Sequence, residues 1–129
     1  MKIHGVGVDL IHIDRIKSAF KKNKNTKKRL FSNVEISFCE KKKNKYCCYA
    51  KRFAAKEAFS KSLGTGVSKG LSFKEIQVKN DANGMPFIDI IGNSLQTVNK
   101  ILKTKKFNIH LSLSDDKSAA IAYVITTIL

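Results

Sequence analysis

This chain of 129 residues has little of several things, and each scarcity narrows its class. It has no apolar run approaching the roughly 20 residues needed to span a bilayer as a helix. His4, Asp9, His12 and Asp14 break up any charged-then-apolar leader pattern at its start. Together these predict a cytoplasmic protein with no membrane partner. Cysteine is sparse and odd in number: Cys39, Cys47 and Cys48, with no Cys-x-x-Cys pair. That count suits a reducing compartment and argues against a zinc site, so all three are read as small apolar side chains. Acidic residues are few, 10 against 25 lysines and arginines, which leaves a formal charge of +15. Such a balance calls for a polyanionic partner: nucleic acid, an acidic membrane, a phosphate-rich cofactor or an acidic protein. The nucleic-acid reading lacks a helix-turn-helix signature and an aromatic-rich binding strand. Among the cations only Arg15, Arg29 and Arg52 are arginine, and they mark positions where a planar, bidentate fork is wanted. Pro86 is the only proline.

What remains is ordinary for a globular core, with 43% hydrophobic residues in a length that predicts one domain, residues 1–129. Residues 2–8 read as a strand, with Gly5 and Gly7 marking close backbone approach and Asp9 ending it. Ile13, Ile16 and Phe20 then recur at helical spacing. Asp9 is thus either an N-cap or first-turn acid, or a metal ligand offered at a strand end. His12 reads as a surface residue of that helix. Residues 21–29 form a basic run, either a solvated loop or helix tail, or a docking surface for an acidic partner. Ser32 and Glu35 fit a capping box opening a helix to about Lys41, and a second lysine cluster fills residues 41–45.

The most informative stretch is residues 52–66. Ala54, Ala55 and Ala58 favour helix, nothing breaks it before Gly64, and Gly64 can terminate it in a left-handed conformation. Glu57 and Lys61 are four apart and share a face, while Arg52, Lys56 and Ser60 line an adjacent stripe. A carboxylate among cations beside Gly64-Thr65-Gly66 suits a metal-assisted phosphate site; a salt-bridged surface with an ordinary glycine cap is the alternative. Beyond it, residues 72–79 and 87–91 read as a hairpin turned at residues 81–84, and a helix opens at Gly92-Asn93-Ser94. Residues 108–114 and 119–128 close the chain as strands, with His110, Ser112 and Ser114 on the face opposite the leucines.

Gly5-Val6-Gly7-Val8-Asp9, Arg52-Phe53-Ala54-Ala55-Lys56-Glu57-Ala58, Gly64-Thr65-Gly66 and His110-Leu111-Ser112-Leu113-Ser114 stand in one order and spacing. Together they resemble the small, homotrimeric class of 4′-phosphopantetheinyl transferases, the holo-acyl-carrier-protein synthases. The likeness covers nearly the whole chain, including Asn83-Gly84-x-Pro86 and residues 30–35. It implies the α+β fold of that family, an antiparallel sheet packed against a long central helix. It implies magnesium-dependent transfer of phosphopantetheine from coenzyme A to a serine of apo acyl carrier protein, releasing adenosine 3′,5′-bisphosphate and serving fatty acid biosynthesis.

By the same resemblance, Asp9 and Glu57 are the metal ligands, and Glu57, directly or through water, is the candidate base. Lys61 neutralises the leaving phosphate. Arg52, Gly64, Thr65 and Gly66 meet the nucleotide phosphates, and Pro86 lines the nucleotide pocket. His110 and Ser112 serve the neighbouring subunit's site, since the family's sites lie between subunits of a homotrimer. Arg15, with Arg29 and the run before it, docks the acidic carrier. One position departs from the common pattern: Asp115 stands where many family members have histidine, although others also carry aspartate.

Overall fold

The computed structural model describes residues 1–64 and 70–129. In chain order the elements are β1 (Lys2–His12), α1 (Ile13–Lys22), α2 (Thr26–Leu30), α3 (Asn33–Glu40) and α4 (Lys45–Ser62). Then follow β2 (Ile76–Asn80), β3 (Pro86–Ile90), α5 (Gly92–Leu102), β4 (Phe107–Asp115) and β5 (Ala119–Ile128). The strands form an antiparallel three-stranded sheet, β1-β5-β4, and a separate β2-β3 hairpin. This is an α+β fold, and α4 is its axis.

Helix α4 is buried on nearly every side, from Cys48 and Tyr49 through Ala54, Ala55 and Ala58 to Phe59 and Ser62. Such a helix has no single amphipathic stripe, and its alanines allow neighbours to come near. Strand β1 takes that opportunity. A Cβ on Gly5 would overlap the Ser62 carbonyl and one on Gly7 the Ala58 carbonyl, so only glycine lets this strand lie against the α4 backbone. Gly5, Gly7, Asp9 and Ile11 share the face toward α4 by strand alternation. The opposite face carries Val6, Val8 and Leu10, with Ile121 and Tyr123 beside them on β5, and these side chains are exposed.

An aromatic cluster closes the α1 side. Phe20 meets Phe31 edge-on at 6.1 Å between ring centroids and Tyr49 at 5.0 Å. The Ser32–Glu35 capping box forms as expected at the start of α3. Gly64 follows α4 with φ +85, the left-handed geometry anticipated for it.

Several boundaries differ from the sequence reading. β1 runs on to His12, so Asp9 lies inside the strand opposite Ala122 and does not end it. Pairing with β5 extends through His12↔Ala119 and carries the strand past the aspartate. His12 is accordingly the last strand residue and the N-cap of α1, not part of its surface. Within the basic run, residues 26–29 belong to α2. Residues 73–75 form a 3-10 turn ahead of β2.

Candidate active site

Asp9, Glu57 and Lys61 meet where β1 crosses α4. The Lys61 ammonium donates to Asp9 Oδ1 at 3.1 Å and to the Val8 carbonyl at 2.9 Å, from an open position on the last turn of α4. Glu57, one turn earlier on the same face, is half-buried. Burial raises its carboxyl above the usual range, the Asp9 charge raises it further, and Lys61 opposes both. Two carboxylates near enough to feel each other's charge, with one lysine opposing it, can accept a hard cation, whose charge would relieve their repulsion. Among the described residues no group of three or more metal-ligating side chains converges. Asp9 and Glu57 offer carboxylate oxygens alone, a donor type that suits a hard cation completing its shell with water and ligand oxygens.

Arg52 lies two turns before Lys61 on α4 and faces a different space. A cleft of about 470 Å³ is lined by Arg52, Lys42, Lys43, Asn80, Pro86 and Asp115, among others. Arg52 is 3% exposed; its guanidinium donates from Nη2 to Asn80 Oδ1 at 2.7 Å and from Nη1 to Cys48 Sγ at 3.4 Å, and stacks on Phe38 at 4.3 Å. Its Nε has no partner among the described residues. A fixed cation with a spare donor, beside two lysines, is an anion-reading arrangement. A larger cavity of about 880 Å³ adjoins this cleft through Lys42, Lys43 and Asp115 and reaches α1 at Lys17. Asp9, Glu57 and Lys61 line neither cavity; Asp9 and Glu57 are partly covered and only Lys61 is exposed.

The other expected site residues distribute as follows. Pro86 shares the cleft with Arg52. His110 and Ser112 lie on the outer face of β4, opposite Ile125 and Tyr123 of β5, so this chain does not bring them to its own Asp9. The His110 ring nitrogen Nε2 pairs with Thr127 Oγ1 at 3.1 Å. Arg15 and Arg29 are exposed on α1 and α2. Gly64 is described and exposed; Thr65 and Gly66 lie outside the described residues.

Two readings need correction. The stripe of Arg52, Lys56 and Ser60 is buried, so it is not the salt-bridged surface of the alternative reading. Lys56 is fully buried, held by Glu35 Oε1 at 2.8 Å, because α3 brings a buried carboxylate to that side of α4. Nor are all three cysteines separate apolar side chains: a disulfide joins Cys39 to Cys48, and only Cys47 is free. The lysine-rich connection folds α3 back onto α4, a juxtaposition that a spacing of nine residues does not announce. Sequence reasoning also missed Asn80, which orients Arg52, and Lys51, whose ammonium sits 3.1 Å from Asp115 Oδ1. The turn signal around Asn80 gave no hint of a partner on α4.

Two carboxylates at a strand–helix crossing, with a basic cleft further along the same helix, are suited to a phosphate-bearing substrate. The sequence model of the 4′-phosphopantetheinyl transferase superfamily matches residues 5–124. The chain belongs to that superfamily. It is 47% identical, over 97% of both chains, to the holo-[acyl-carrier-protein] synthase of Pelagibacter ubique. In structure it is similar to a holo-(acyl-carrier-protein) synthase from Bacillus anthracis solved in complex with CoA (3′,5′-ADP), with a TM-score of 0.79, 31% identity and full coverage of both chains. It is also similar to the holo-[acyl-carrier-protein] synthase of Neisseria meningitidis, with a TM-score of 0.85 at 31% identity over 96% of this chain and 98% of that one.

Proposed function

We propose that this protein transfers the 4′-phosphopantetheine group of coenzyme A to a serine of apo acyl carrier protein, releasing adenosine 3′,5′-bisphosphate, as a step serving fatty acid biosynthesis. The observation that carries the reading is the approach of Asp9 and Glu57, remote in sequence, to one place on α4, where Lys61 is paired with Asp9. Asp9 and Glu57 would hold a magnesium ion, which when bound supplies positive charge to the coenzyme A diphosphate. Glu57, directly or through a water, takes the serine proton; a carboxylate with a raised pKa is a better base than a free one. The serine oxygen then bonds to the phosphorus bearing pantetheine, and that phosphorus releases the bridging oxygen of the nucleotide. Lys61 can leave Asp9 and meet the charge that develops there.

Arg52 and Pro86 form the nucleotide cleft, with Gly64, Thr65 and Gly66 as the phosphate loop. The exposed apolar face of Val6, Val8, Leu10, Ile121 and Tyr123 supports a homotrimer with sites between subunits, in which His110 and Ser112 face a neighbour's coenzyme A. No helix among the described residues is long and apolar enough to cross a membrane. The reading includes work in the cytoplasm, within one domain over residues 1–129, and neither nucleic acid nor membrane as a partner.

The direct test is mass spectrometry of apo acyl carrier protein after incubation with this protein, coenzyme A and magnesium. One added phosphopantetheine is expected. An unshifted carrier, where a control transferase succeeds, removes the reading. Arg15 and Arg29, with the lysines around them, offer a basic surface to an acidic carrier, steering encounter at low salt. Arg15→Glu is accordingly expected to raise the KM for carrier about tenfold and to leave that for coenzyme A within about twofold. Equal changes in both would argue against a carrier-specific role.

A further inference from the structure

The disulfide between Cys39 and Cys48 does nothing in the transfer chemistry, yet it is built into the wall of the Arg52 cleft. Cys39 is fully buried near the end of α3 and Cys48 is 7% exposed on the first turn of α4, with Cα atoms 5.5 Å apart. Each has a neighbour that holds the same guanidinium. Cys48 Sγ itself accepts from Arg52 Nη1 at 3.4 Å. Phe38, adjacent to Cys39 in the chain, carries the Arg52 guanidinium on its ring at 4.3 Å. Both Phe38 and Cys48 line the cleft with Arg52. The covalent link thus ties together two of the three supports of the one buried arginine, the third being Asn80.

We propose that Cys39 and Cys48 form a reversible thiol–disulfide site, oxidised and reduced by small-molecule disulfides and thiols, whose state sets the position of Arg52 in the cleft. Cys39 is enclosed by a close-packed core, which takes up little displacement. Reduction releases Cys48, on the cleft side, from that fixed anchor, and turns the sulfur that accepts from Arg52 into a thiol with freedom to rotate away. The exchange balances in two steps. The Cys48 thiolate attacks a small disulfide, forming a mixed disulfide and expelling one small thiolate. Cys39 then attacks the Cys48 sulfur and expels the second. Two protein thiols lose two electrons and two protons, and one small disulfide becomes two thiols. Cys39 takes its turn when the connection between α3 and α4 opens locally. Cys47, the free cysteine, lies outside the pair.

The effect on catalysis rests on the reading of the cleft as the nucleotide site; the thiol chemistry and the movement of Arg52 do not. The experiment equilibrates the whole protein with oxidised or reduced glutathione, alkylates free thiols and maps them by mass. It then follows the Arg52 Nε–H resonance, which burial separates from those of exposed Arg15 and Arg29. The expected result is one Cys39–Cys48 link with Cys47 alkylated in the oxidised form, three alkylated cysteines in the reduced form, and a shifted Arg52 resonance. The KM for coenzyme A should differ by about threefold or more between the forms, with kcat within about twofold. Cys39→Ser and Cys48→Ser should each abolish the response, and Cys47→Ser should keep it. Absence of the link after oxidation overturns the proposal, as does a link that forms without moving the Arg52 resonance. A protein that modifies no carrier in either form defeats the transferase reading instead, while the resonance still decides this one.

Discussion

Lys56→Met is expected to lower folding stability by about 3–5 kcal/mol, because it leaves the Glu35 carboxylate alone in the core. Both side chains are fully buried. The Lys56 ammonium spends its donors on Glu35 Oε1 at 2.8 Å and the carbonyls of Phe73 at 2.7 Å and Ile76 at 2.5 Å. Glu35 accepts in turn from the backbone N–H of Ser32 and of Val78, each at 3.0 Å. One ion pair thereby fastens α3, α4 and the start of β2. Glu35→Leu should cost about as much, for the mirror-image reason. The double variant should cost less than the two singles summed, by a coupling energy of about 2–3 kcal/mol in urea denaturation. Strict additivity would mean that the two groups act independently.

The pair also has a pH signature. Burial lowers the Lys56 pKa to about 8, against the opposing pull of Glu35. Between pH 8 and the ordinary lysine value near 10.5, the unfolded chain binds a proton there that the folded protein does not. This group's contribution to stability therefore rises with pH across that window, and Lys56→Met should lack the rise. The pin matters for the site because it fixes how α4 is rotated. With Lys56 turned inward to α3, the next residue, Glu57, is presented to Asp9, and Arg52, one turn earlier, to the cleft.

That rotation marks the limit of what could be read from sequence. The spacing of Glu57 and Lys61 gave their shared face, and Gly5 and Gly7 announced the close approach of β1 that carries Asp9 to it. These are local signals: helical period, and glycine where a Cβ cannot fit. The inward direction of Lys56 was not legible, since a lysine is ordinarily outside and its partner lies 21 residues away on another helix. The capping box at Ser32 and Glu35 concealed the same point, because it already accounted for Glu35. The end of β1 was misread for a different reason. An aspartate usually leaves a strand, but here the ladder to β5 continues past it, and tertiary pairing outweighs propensity. The link between Cys39 and Cys48 depended on the fold-back of the lysine-rich connection, which the sequence marked only as a separator between two helices.

Glu57→Gln is expected to reduce kcat by about a thousandfold or more while leaving the melting temperature at pH 7 unchanged or slightly higher. The two halves of that expectation have one cause. The amide keeps the size of the side chain but can neither take the serine proton nor offer charge to a cation. It also removes a carboxylate whose ionisation the folded protein opposes, chiefly through burial and then through the neighbouring Asp9 charge. For a carboxyl raised in the folded state, the favourable contribution is complete below its unfolded pKa. It is lost as pH rises through the folded value. At neutral pH ionised Glu57 is thus a cost to folding, and the glutamine is free of it. Below about pH 4, where the carboxyl is protonated in both states, the advantage of the variant should disappear. Magnesium supplies a third reading: it should raise the melting temperature of the native protein and have little effect on Glu57→Gln, because a ligand that binds only the folded state stabilises it by mass action. Thermal melts at pH 4 and pH 7, with and without magnesium, alongside carrier modification followed by mass, check all three. A variant that is inactive but also melts lower would make Glu57 a structural residue. One that keeps more than about a tenth of the rate would leave the proton to another base. Loss of activity with retained or improved stability is the combination that a carboxylate held against its own charge for chemistry should give.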